Sequence, residues 1–384
     1  MNLKKEFQNL PLKNIFKNFM KEFIPQMRPL FGKEEQQALN DYMKEDGYLT
    51  EFKRTEQFEK MISEFTGSNH CVVVNNGTIS LTLSAIALGI EPGDEVIVPN
   101  FTMVASPNSV KMIGAKPIFV DVEERSLCLN LDLVKKAITN STKAIILVSA
   151  NGRYPDYDID DLLKICKEKK IKLIEDAAQS LGSYYPDGTH IGRKGHVGSF
   201  SFSAPKIIST GQGGAIITDD DEIAFKLRRL KDFGRSEGGN DIHDFIGYNF
   251  KFTELQAVIG IEQMKKLSKR IERKKSIFQK YFDNLSQNKN LKLIDNNLDT
   301  TSPWFIEIIT EERNKLMEYL KEKKIGTRIM YPPINNQKAY KVRGNFPVSE
   351  LIGEKGLWLP SMSHLEDNQI NYICNEIKAF YQNG

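Results

Sequence analysis

The chain is short of the residues that staple, ligate or anchor a protein. Its 384 residues include four cysteines, five histidines and two tryptophans. Cys71, Cys128, Cys166 and Cys374 are widely separated and form no CxxC pair. That spacing argues against a zinc site and against a disulfide framework, so no metal is expected and a reducing cytoplasm is the expected compartment. Cys71 and Cys166 sit in apolar runs and read as core thiols. No uninterrupted apolar stretch is long enough to span a bilayer. The net charge of +3 is spread among carboxylates, which leaves no basic footprint for nucleic acid.

What is present is ordinary globular composition, 40% hydrophobic and 27% charged. The length exceeds what one compact core organises, so two domains are expected. Residues 1–23 are amphipathic, with Leu3, Phe7, Leu10, Ile15, Phe16, Phe19 and Phe23 set among Lys4, Lys5, Lys13, Lys17 and Lys21. The segment lacks the apolar core and cleavage site of a signal peptide. Lysines interrupt its apolar face, so a helix packed on the protein or a partner subunit is expected in preference to a membrane-surface helix, without stable membrane insertion.

From residue 24 to 265, short apolar runs alternate with helical stretches. Cys71–Val74, Glu95–Val98, Pro117–Val120, Ala144–Val148, Lys172–Glu175, Ser199–Phe202 and Gly214–Ile217 read as strands. The pattern predicts an α/β fold with a mostly parallel central sheet covered on both faces. The spacing predicts a single long helix over 254–284. Residues 266–384 then read as a smaller C-terminal α+β domain, with strands at 304–309 and 327–331 and helices at 313–323 and 368–381.

Open parallel sheets bind ligands at the carboxyl ends of their strands, and four segments there carry chemistry. Gly77-Thr78 opens a helix after a strand, where free N–H groups suit a phosphate; the same residues also make an ordinary capped turn. Asp176 ends an apolar strand and suits a cationic ring nitrogen, or else caps the next helix. Lys206 stands between the run Ser199–Phe202 and the turn Gly211–Gly214. A desolvated lysine there can form a Schiff base, although a lysine taken at random is a surface residue. The glycines miss the GxGxxG spacing of a dinucleotide fold. The fourth segment, Gly247–Thr253, also reads as a helix-entry loop. Phosphate turn, Asp, Ser and Lys in this order are the parts that pyridoxal 5'-phosphate (PLP) requires.

The runs GDEVIVPNFT, GAKPIFVDV, EDAAQSLGS, GSFSFSAPK, TGQGGAIITDD, IGYNFKFTELQAVIGIEQ, GTRIMYPP and GLWLPS closely resemble the DegT/DnrJ/StrS aminotransferases, a sugar-aminotransferase branch of the fold-type I PLP enzymes, and among them the perosamine-synthase-like members. The resemblance spans residues 24–381. It implies an aspartate-aminotransferase-like fold and a homodimer with active sites at the subunit interface. It implies Lys206 as the Schiff-base lysine, Asp176 on the pyridine nitrogen and Gln179 near the ring hydroxyl. Gly77, Thr78 and Ser201 would bind the phosphate, and Asn249 would reach the phosphate of the partner's cofactor. Some relatives are dehydratases with histidine in place of the lysine; Lys206 favours transamination, with L-glutamate as donor.

Three positions depart from the common pattern. Met103 stands where many members place an aromatic residue on the PLP ring, and a thioether can pack there instead. Asn151-Gly152-Arg153 replaces a Leu-Tyr-Gly type of loop. Asn335 occupies a position where histidine is frequent. Arg153 and Arg328 suit a substrate phosphate or carboxylate, and equally suit a structural ion pair. The expected function is therefore an aminotransferase acting on a keto-sugar nucleotide for bacterial surface polysaccharide (capsule or lipopolysaccharide). The same chemistry on a small phosphorylated ketone, dihydroxyacetone phosphate giving serinol phosphate, is the alternative. A sugar dehydratase and a non-catalytic PLP-fold regulator stand behind both.

Overall fold

The apolar runs of the first two thirds converge on one sheet. The computed structural model describes residues 22–45, 47–236 and 240–383; most of the amphipathic segment at 1–23 lies outside them. Helices α1 (Lys33–Lys44) and α2 (Lys53–Thr66) lead into β1 (His70–Val74) and α3 (Gly77–Ala87). Then come β2 (Glu95–Pro99), α4 (Ala105–Met112), β3 (Lys116–Val120), α5 (Leu131–Ala137), β4 (Thr142–Val148), α6 (Ile159–Lys169) and β5 (Lys172–Asp176). Strands β6 (Val197–Ser201) and β7 (Gly214–Thr218) and helix α7 (Asp221–Lys231) complete this part. The seven strands pair in the order β1-β7-β6-β5-β4-β2-β3. Pairs β2–β3, β2–β4, β4–β5 and β5–β6 are parallel, and β7 runs antiparallel to both of its neighbours.

The continuous hydrophobicity of these strands follows from burial on both faces. On β4, Ile145 and Leu147 join one core cluster, while Ala144, Ile146 and Val148 join the other. The same alternation places Leu173 of β5 on the first face and Ile174 on the second. Glu175 and Asp176 therefore leave the end of β5 on opposite faces of the sheet. Side-chain caps set several helix starts: Asn76 accepts from the Ile79 N–H (2.9 Å), and Asp220 accepts from the Ile223 N–H (2.9 Å).

The helix expected over 254–284 is two helices, α8 (Glu254–Lys265) and α9 (Leu267–Leu285). Lys266 breaks the run, and its ammonium binds Glu34 (3.0 Å) and Glu35 (2.7 Å). Each helix then follows its own packing, α8 on α1 and α2, and α9 on α12 (Asp367–Asn383). The second sheet is fully antiparallel. It comprises β8 (Lys292–Leu293), β9 (Ile306–Ile309), β10 (Arg328–Ile329) and β11 (Gly356–Leu359) in the order β10-β11-β9-β8, with helices α10 (Arg313–Glu322) and α11 (Pro347–Lys355). Strand β9 starts two residues later than the apolar run suggests. Trp304 and Phe305 instead pack into a cluster with Trp358. Among the described residues, no helix is long and apolar enough to cross a membrane.

Candidate active site

The α3 N-terminus and the end of β6 meet. Gly77 and Thr78 precede the first α3 backbone bond, which runs from the Ser80 N–H to the Asn76 carbonyl (3.0 Å), so their own N–H groups are open to an acceptor. A Cβ on Gly77 would lie 2.8 Å from the Ser201 Cβ and 3.1 Å from its Oγ. Only glycine lets the strand and the helix start approach this closely. Gly214, paired with Ser201 across β6–β7, is equally constrained, since its Cβ would meet the Asn76 carbonyl oxygen at 2.5 Å. The Ser201 hydroxyl lies 3.3 Å from that of Ser203 and accepts only a long bond, 3.4 Å, from the Ser203 N–H. Two backbone donors, two hydroxyls and a helix N-terminus thus face one space, a donor set for a phosphate.

Asp176 lies on the same sheet face, paired with Ser199. One carboxylate oxygen accepts from the Ser106 hydroxyl (2.7 Å), which is itself 2.9 Å from the Thr102 hydroxyl. The other accepts a long bond from the Ala178 N–H (3.3 Å). Burial raises the Asp176 carboxyl above the usual carboxylate range, while the Ser106 hydroxyl and the Lys206 charge oppose that shift. A cation placed against it completes its charge balance. Gln179 follows in the same turn, and its Oε1 accepts from the Asn151 N–H (2.6 Å).

Lys206 leaves the turn after β6, its N–H bound to the Ser203 carbonyl (3.0 Å). Its Nζ lies 4.3 Å from the centre of the Trp304 indole. Desolvation pulls its ammonium down to about 8; Asp176 works against this and Arg328 adds to it. At neutral pH roughly a tenth of such an amine is free base and able to attack a carbonyl. Arg328, on β10, is exposed, stacks its guanidinium 5.4 Å from the Trp358 ring, and has no ion pair among the described residues.

Other expected residues are placed differently. Arg153 is buried and ion-paired with Glu307, and its Nε donates to the Asp295 carbonyl (2.9 Å). Of its two readings, the geometry favours the structural ion pair, so Arg153 is not a free cation for substrate. Its neighbour Asn151 adopts the left-handed conformation (φ 55°) and ties the end of β4 to the strand-entry residue Phe305 by bonds of 2.9 and 2.6 Å. Asn335 is also committed: it accepts from the Asn100 amide (2.8 Å) and donates to Glu350 (2.7 Å). Met103, 46% exposed, sits in the turn between β2 and α4 that also carries Thr102, just before Ser106 in the first turn of α4. Asn249 is exposed, its backbone bridged to Asp232, beside the Phe250 carbonyl that accepts from the Asn75 N–H (3.2 Å). Sequence reasoning missed Ser106 and Trp304. Ser106 was legible as a serine in the first turn of the helix that follows β2; Trp304 gave no local signal.

Residues 29–378 match the sequence pattern of the DegT/DnrJ/EryC1/StrS aminotransferase family. The chain belongs to this family. It is accordingly a PLP-dependent aminotransferase. It is 32% identical to the GDP-perosamine synthase of Escherichia coli O157:H7, over 94% of this chain and 99% of that one. It is 34% identical to the GDP-perosamine synthase of Vibrio cholerae, over 93% and 99%. A Streptococcus pneumoniae protein solved in a PLP form superposes with a TM-score of 0.88 at 26% identity, covering 94% of this chain and 99% of the other. The residues fit the family cofactor: a donor set for a phosphate and the Asp176 carboxylate share one face of the sheet, and Lys206 in the turn after β6 lies within electrostatic reach of that carboxylate.

Proposed function

We propose that this aminotransferase moves an amino group from L-glutamate to a nucleotide-linked keto-sugar, in the cytoplasm, for a bacterial surface polysaccharide. The observation that carries the reading is a partly desolvated lysine, not a histidine, set against Asp176 beyond a phosphate cradle. The acceptor class rests on the GDP-perosamine synthases matched along nearly their whole length.

PLP, when bound, supplies an electron sink for the carbanion at the substrate Cα. Lys206 would take up and return the substrate Cα proton at its Nζ. Asp176 holds the proton on the ring nitrogen, and Gln179 lies beside the ring hydroxyl. Gly77, Thr78 and Ser201 hold the phosphate, and Met103 packs on the ring. Arg328 takes a carboxylate or phosphate of the substrate, a role suited to a guanidinium without an ion pair among the described residues. Asn249 reaches the cofactor of a second copy of the chain. The exposed apolar side chains of Ile242, Phe245, Ile246 and Tyr248 beside it support a homodimer.

The phosphoketone alternative is motivated by Met103, Arg153 and Asn335; Glu307 takes up the Arg153 charge, and Asn100 and Glu350 take up the Asn335 amide. The assay is the PLP-loaded protein with L-glutamate and then with each ketone. Release of 2-oxoglutarate followed by amination of a nucleotide keto-sugar is expected. Turnover of dihydroxyacetone phosphate alone would favour the alternative. A deoxygenated product would mark a dehydratase, and inertness to every amino acid a binding protein.

A further inference from the structure

The peptide that carries Lys206 is held on both sides by buried donors from the second half of the chain. The Trp304 indole N–H donates to the Pro205 carbonyl (2.7 Å), and Arg270 of α9 donates to the Ile207 carbonyl (2.9 Å). The Trp304 ring faces the Lys206 amine at 4.3 Å and is itself boxed in. It stacks on Phe305 (3.8 Å between centres) and meets the edge of Trp358 at 5.8 Å. Its backbone carbonyl accepts from the Nζ of Lys274, a buried lysine on α9 that also donates to the Ser361 carbonyl. No carboxylate pairs with Lys274 among the described residues. Burying a lysine for two carbonyls is costly, and here one of those carbonyls fixes the tryptophan.

We propose that Trp304 is a positioning residue for Lys206: its N–H fixes the peptide before the lysine, and its π face holds the released amine as a cation while it carries the proton. The inference rests on the proposed reading of Lys206 as the reacting amine. The groups facing Lys206 point the same way. Asp176 of β5 is the single anion facing it among the described residues; Arg328 of β10 approaches from the second sheet, and Arg28, Arg270 and Lys274 line the cleft behind it. With cations dominating, the ammonium form depends on Asp176 and on the indole face.

The test uses the full-length apoprotein and PLP as probe, following the absorbance change on cofactor capture as a function of pH. Capture requires the free amine, so its rate rises through the Lys206 titration. Removing the ring destabilises the cation, so W304L is expected to move the midpoint toward acid by about 0.5–1 pH unit, with W304F between it and the wild type. W304F also loses the N–H and is expected to show a several-fold slower plateau. A folded W304L with an unchanged or alkaline-shifted midpoint overturns the inference. If W304L does not fold, W304F decides by the same criterion. Wild type and K206A capturing PLP alike would instead overturn the underlying reading of Lys206.

Discussion

Two adjacent carboxylates end β5, and the sheet sends them into different environments. Glu175 faces the side covered by α2 and α6, fully buried. It accepts from the Tyr185 hydroxyl (2.7 Å), the Gly192 N–H (2.9 Å) and the Gly195 N–H (2.6 Å). Asp176 faces the side covered by α3 and α4 and has one strong donor, Ser106, and one long one. Burial raises both carboxyls. The first is saturated by its own chain and holds a loop in place. The second has one strong donor and one long one and faces a lysine, which suits the proposed pairing with a cofactor cation. On the proposed reading, the difference separates a carboxylate that serves the fold from one that serves chemistry, although the two are neighbours in sequence.

The comparison can be broken most sharply at Asp176. D176A is expected to lower kcat/KM on the order of 10²–10³-fold, with Tm close to wild type, as read by steady-state kinetics and calorimetry. E175Q should invert that pattern. It turns an amide toward backbone donors and is expected to cost about 2–3 kcal/mol of stability while leaving kcat within about twofold. Equal losses of activity in both variants would erase the distinction. The mildest effect is expected from S106A. The Ser106 hydroxyl stabilises the ionised Asp176, so its loss raises that carboxyl further and the protonated form persists to higher pH. Activity should then fall away earlier as pH is lowered, the acid limb of the kcat/KM profile moving up by about one unit, with the alkaline side unchanged.

Much of this architecture was legible because it is local. The seven strands of the main sheet are short apolar runs, and Gly77, Asp176, Ser201 and Lys206 sit at their ends, where ligands bind. The rest depends on partners far away in the chain. Arg153 read equally as a substrate cation and as a structural ion pair, because Glu307, which decides between them, lies 154 positions further on. Trp304 read as the start of a strand because only the fold shows that its indole reaches Pro205, 99 positions earlier. The antiparallel direction of β7 and the break at Lys266 escaped for a similar reason. Hydrophobic periodicity reports burial and says nothing of strand direction, and a lysine bound to Glu34 and Glu35 looks like any helical lysine until α1 is packed beside it.

Asn151 has a consequence for how the two sheets are held together. Its side chain grips Phe305 and Glu307, its N–H grips Gln179, and Arg153 next to it closes on Glu307. The bonds to Phe305 and Glu307 act as a latch between the two sheets, while the bond to Gln179 ties Asn151 within the first. Met103 and Arg328, both exposed, stand outside that latch.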